Sequence, residues 1–139
     1  MWRLDANGAF GPGTAPAHEI AGEGPAPDAA ALPDAVAIRF AATQDGRGFS
    51  LARRLRAAGY AGALAAVGPL EPDQARHAFQ CGFDAVAIED ATLDRHGRAA
   101  WEGALRTSVT AMYVAEPTSR LDAAGDNAVG IWNARHRAA

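Results

Sequence analysis

The chain has 139 residues, a formal net charge of −3, 49% hydrophobic residues and 13 basic residues, all of them arginine. This length fits one domain with short appendages, and no run of about 18 apolar residues is present to form a membrane-spanning helix. The single cysteine excludes an internal disulfide framework and a Cys-rich zinc site.

Alanine fills 36 positions, whereas Val, Ile, Leu and Phe together fill only 24. Such a chain builds a small core, and its low net charge argues against wholesale disorder. Asp5 falls early and no apolar run follows the N-terminus, which does not fit a secretory signal. With the cysteine usage, this leads us to expect a cytoplasmic protein.

Residues 1–35 hold five prolines and one arginine against five acids. They read as an N-terminal hairpin followed by a Pro/Gly-rich arm. Asn7-Gly8 between two short alternating runs signals a two-residue type I′ hairpin. An isolated hairpin is marginal, so Trp2 and Phe10 are expected to pack on the main domain.

From residue 36 the pattern changes to alternating strands and helices. Residues 36–40 read as a strand. Residues 50–58 read as a helix, with Ser50 as N-cap and Gly59 as terminator. Residues 63–67 form a second predicted strand, closed by Gly68-Pro69. Pro72 opens a helix running to Gln80 and ended by Gly82. Residues 84–88 form a third strand, about 95–105 a weaker helix, and 109–114 a fourth strand. Residues 116–139 read as a flexible C-terminal tail.

The expected fold is therefore α/β, with residues 36–115 forming a small, mainly parallel sheet of about four strands from repeated βα units. Crossovers that all run in one direction place every helix on one face. The other face then needs the N-terminal segment or a second subunit, and the latter predicts a dimer. Between residues 36 and 115 nine arginines face eight acids. That balance, without aromatic residues interleaved on a basic strand, argues against nucleic acid as a partner.

Ligands of open parallel sheets bind beyond the carboxyl ends of the strands. The loop after the first of these strands, Thr43-Gln44-Asp45-Gly46-Arg47-Gly48-Phe49-Ser50, feeds a helix N-terminus, which favours an anion. Arg47 offers a bidentate grip and Asp45 a proton acceptor. The anion-binding candidates are Gly46, Arg47, Gly48, Ser50, Gly68 and Gln74, and the catalytic candidates are Asp45 and Arg47. A plain capped turn explains the same residues without a ligand. Neither the P-loop nor the dinucleotide glycine pattern is present, so no cofactor is expected. The histidines are scattered, and no metal site is expected. Asp73 and His77 read as a solvated i,i+4 pair. Cys81 ends a helix, where the dipole disfavours a thiolate, and reads as a buried structural thiol. Arg53, Arg54 and Arg56 read as a solvated basic face, or else as a docking surface for an acidic partner. Trp101 and Tyr113 read as core anchors.

Five linked motifs carry a family resemblance. They are Asp45-Gly46-Arg47-Gly48-Phe49-Ser50, then Leu55-Arg56 with Gly59-Tyr60-x-Gly62, then Ala66-Val67-Gly68, Asp73-Gln74, and Cys81-Gly82-Phe83-Asp84-Ala85. In this order and spacing the chain resembles the bacterial family called domain of unknown function 934. Its members are labelled oxidoreductases of sulfite reduction from their gene neighbourhood. Ala65, Pro69 and the short N-terminal half mark this chain as a divergent member. The resemblance implies a setting in sulfur assimilation. The expected function is an accessory protein of assimilatory sulfite or sulfate reduction, which binds a small oxyanion or docks to the sulfite reductase. The alternatives are a small-anion enzyme using Asp45 and Arg47, and a structural remnant without an active site.

Overall fold

A computed structural model describes residues 1–105. The predicted strand at 109–114, Tyr113 and the tail at 116–139 lie outside the described residues.

The described chain forms one six-stranded sheet in the order β2-β1-β6-β5-β4-β3. The strands are β1 (Trp2–Asp5), β2 (Phe10–Pro12), β3 (Glu19–Ala21), β4 (Ala35–Arg39), β5 (Ala63–Val67) and β6 (Ala85–Ile88). The helices are α1 (Arg47–Ala57), α2 (Ala75–Gln80), α3 (Asp90–His96) and α4 (Arg98–Glu102). Strands β3 to β6 pair in parallel, and β1 pairs antiparallel with both β2 and β6. The sheet is therefore larger than the four strands expected, because the hairpin joins its edge and β3 adds a strand at the other.

The hairpin turn also differs from expectation. Type I′ needs positive φ at both central residues, but in this turn only Gly8 is positive, at 91°. Gly8 N donates to Asp5 O and Asp5 N to Ala9 O, so the loop is the three-residue Ala6-Asn7-Gly8, a type I turn with a glycine bulge.

Strand alternation sorts the sheet into two unlike faces. Leu4, Val36, Ile38, Phe40, Leu64, Val86 and Ile88 join Phe49, Leu51 and Leu55 of α1, Ala78 of α2 and Trp101 of α4 in the main core. Trp101 is wholly buried, as its reading as a core anchor requires. The opposite face is alanine-rich: Ala37, Val67 and Ala87 pack there with Ala15, and Ala63, Ala65 and Ala85 are likewise buried.

Residues 13–18 explain that composition. They connect β2 at one edge to β3 at the other, so they must cross the whole sheet. Five inter-strand spacings amount to about 24 Å, and the seven steps from Pro12 to Glu19 reach about the same distance when extended. The segment is a taut strap, and alanines let its backbone lie close to the sheet. Of the two covers expected for this face, the N-terminal segment is present.

Helix ends also depart from the sequence reading. Helix α1 begins three residues earlier than predicted, with Gly46 and not Ser50 at the N-cap. In place of the weaker helix expected at about 95–105 there are two short helices separated by Gly97, and α3 starts one residue after β6, with Glu89 as its N-cap. The predicted C-terminal stops hold: Gly59 and Gly82 follow α1 and α2 with positive φ. The bonds Gly59 N to Arg56 O with Tyr60 N to Leu55 O, and Gly82 N to Phe79 O with Phe83 N to Ala78 O, make both ends Schellman motifs.

Candidate functional site

The carboxyl ends of β4, β5 and β6 converge on one rim, which places the 41–46 loop beside Gly68-Pro69-Leu70 and Glu89-Asp90. The rim is held together by its own polar groups. Thr43 Oγ1 donates to Pro69 O. Gln74 accepts from Glu71 N at 2.8 Å and donates to Thr43 O at 2.8 Å. Both ends of this amide, a predicted anion ligand, are thus engaged in fixing loops to one another.

Asp45 occupies the place expected of an anion. Its carboxylate accepts from Arg47 N at 3.1 Å, from Arg47 Nε at 2.9 Å and from Arg47 Nη2 at 2.7 Å. The Arg47 side-chain bonds, followed by the Arg47 amide, pull the Asp45 carboxyl from the ordinary 3.8 down to about 2. The same carboxylate raises the Arg47 guanidinium. Arg47 is 65% exposed and Asp45 16%, so the pair sits at the surface. A carboxyl held this low is a weak proton acceptor near neutrality.

The remaining predicted ligands have structural work at the same rim. A side chain at Gly48 would strike the Phe40 ring at 2.5 Å, so Gly48 packs helix α1 onto the end of β4. At Gly68, φ is 123° and a Cβ would lie 2.5 Å from Phe40 O; only glycine permits that backbone approach. Nothing crowds Gly46. Ser50 is exposed in the first turn of α1, its amide directed to Gly46 O at 3.4 Å.

One charged group at the sheet ends escaped the sequence reading, and another was misplaced by it. Arg39, at the end of β4, donates Nε to Glu19 at 2.9 Å and spans β5 to grip Glu89 with Nη1 at 3.2 Å and Nη2 at 3.3 Å. The Glu19 hydrogen bond, then that of Glu89, raises its guanidinium further. A lone arginine ending an apolar strand was the available signal, since such a charge needs a counter-charge.

Arg56 lies at the opposite, amino-terminal rim. It donates to Gly82 O, Tyr60 O, Gly62 O and Asp84 Oδ2 at 2.7–3.0 Å. Asp84 Oδ2 also accepts from Leu64 N at 2.9 Å, and the Tyr60 hydroxyl donates to Pro33 O at 2.6 Å. Arg56 therefore departs from the solvated basic face on which the sequence put it. The motif residues Arg56, Tyr60, Gly62, Gly82 and Asp84 form one clasp across the starts of β5 and β6.

Cys81 is buried, with 2% exposure. Its sulfur accepts from Arg53 Nε at 3.2 Å and lies 3.6 Å from His77 Nε2. His77 stands edge-on to Phe49, ring centroids 4.6 Å apart. Among the described residues no group of three or more His, Cys, Asp and Glu side chains could hold a metal ion. No described helix is long and apolar enough to cross a membrane.

The family model described as bacterial protein of unknown function (DUF934) matches residues 21–116, more than half of the chain. No curated protein and no solved structure matches it.

Proposed function

The chain belongs to the DUF934 family of bacterial proteins, and from that membership we propose an accessory role in assimilatory sulfite or sulfate reduction, exercised in the cytoplasm by docking to the sulfite reductase. The gene-neighbourhood label of the family supplies the setting. The observation that carries the choice of docking over chemistry is the Asp45 carboxylate seated on Arg47 and on the first amide of α1. The loop that best resembled an oxyanion cradle already holds an anion of the chain's own. Gly48, Gly68 and Gln74 are engaged in packing and loop closure beside it.

The competing reading, a small-anion enzyme acting through Asp45 and Arg47, draws on the exposure of Arg47. It requires an incoming oxyanion to displace Asp45. Thermal melting separates the two. Docking predicts that millimolar sulfite, sulfate or phosphate shifts Tm equally in the wild type and in Arg47→Ala. A rise in Tm confined to the wild type would establish the anion site instead.

A further inference from the structure

Helix α1 carries Arg47, Arg53, Arg54 and Arg56 and no acidic residue. Two of these charges are neutralised at home, Arg47 by Asp45 and Arg56 by Asp84. Elsewhere Arg3, Arg39 and Arg98 pair with Asp5, with Glu19 and Glu89, and with Glu102. Arg53 and Arg54 are exposed, and among the described residues neither makes an ion pair with a carboxylate. Arg95 and Arg76 also lack such a pair, but α3 also carries Asp90 and Asp94, and Arg76 is half-buried and donates to Leu105 O at 2.8 Å.

Arg53 is also held in place. Its Nε donates to the buried Cys81 sulfur at 3.2 Å, and His77 of α2 approaches the same sulfur. A guanidinium has five N–H donors, so this bond leaves the terminal amino groups for a partner. Fixing the stem in advance lowers the entropy lost on binding. Arg53 and Arg54 make a short positive ridge on α1, with His77 of α2 beside the sulfur that holds Arg53, on a protein whose formal net charge is −3.

We propose that the Arg53–Arg54 ridge is the surface by which this protein docks, and that its occupant is a carboxylate-rich face of a partner protein. The inference rests on the docking reading above and names the surface used. An acidic partner is repelled by the chain as a whole and attracted where positive charge is left uncompensated, which orients the encounter. Arginine suits the contact because its planar fork meets carboxylates in pairs. Nucleic acid fits less well, since affinity for it grows with the number of phosphates neutralised and this ridge offers two guanidiniums.

The test is a titration of the full chain with the sulfite reductase of the same organism, at low and moderate salt. Wild-type binding is expected to weaken as salt rises. Arg53→Glu and Arg54→Glu are each expected to weaken it about tenfold, while Arg95→Glu, the same change in charge, leaves it within about twofold. Arg54→Glu does not touch the Cys81 contact, so it separates docking from local packing. Binding that survives both reversals, or falls equally with Arg95→Glu, overturns the ridge and leaves docking standing. Absence of wild-type binding overturns both. Duplex DNA bound as tightly as the reductase overturns the protein partner.

Discussion

Asp45 and Arg47 are neighbours whose charges meet before any ligand arrives. The carboxylate binds the α1 amide and the guanidinium together, so helix terminus and cation are satisfied by one group. The folded pKa, about 2, lies below the ordinary 3.8. Whatever stability this pair contributes is therefore present above the unfolded value and lost as pH falls through about 2, leaving no slope near neutrality. A carboxyl-carbon NMR titration should give Asp45 a midpoint near 2, moving up toward the ordinary value in Arg47→Ala. A wild-type midpoint of 4 or more would contradict the pairing.

At the scale of elements, the amino-terminal clasp decides how α1, β5 and β6 fit together. Arg56 and Asp84 are 19% and 13% exposed, and breaking a largely buried pair strands the remaining charge. Arg56→Ala should cost about 3 kcal/mol in urea unfolding, whereas the exposed Arg54→Ala should stay within about 0.5 kcal/mol. Similar values for the two variants would refute the clasp. Strands β5 and β6 were legible in the sequence because their apolar runs are continuous, β5 between Gly62 and Gly68 and β6 between Asp84 and Glu89, and both helix stops were legible at Gly59 and Gly82. Periodicity also placed Arg56 outside the apolar face of α1. It had no means of showing that a long side chain curls round the helix end to four backbone and carboxylate oxygens. Strand β3 was missed because three residues with one Ile carry no pattern of their own; pairing with β4 makes the strand. The start of α1 was missed because Gly46-Arg47-Gly48 reads as a turn, while the Asp45 side chain and the Phe40 ring make it the first turn of a helix.

At the scale of the whole molecule, the five family motifs divide between two rims of one sheet, and the contacts at both rims hold the fold together. The taut strap and the alanine face make the N-terminal segment part of this architecture. Ala63, Ala65 and Ala85 are buried within a single chain, which removes the reason first advanced for a dimer. The family motifs mark contacts that hold the scaffold, and the proposed docking rests on the uncompensated charge on α1. The most direct measurement is sedimentation velocity of the chain alone and mixed with the sulfite reductase, repeated with Asp45→Asn. The account predicts a monomer near 14.4 kDa alone and a comigrating complex in the mixture, equally for wild type and Asp45→Asn. A wild-type chain that sediments apart from the reductase, or a complex that disappears with Asp45→Asn, would contradict it.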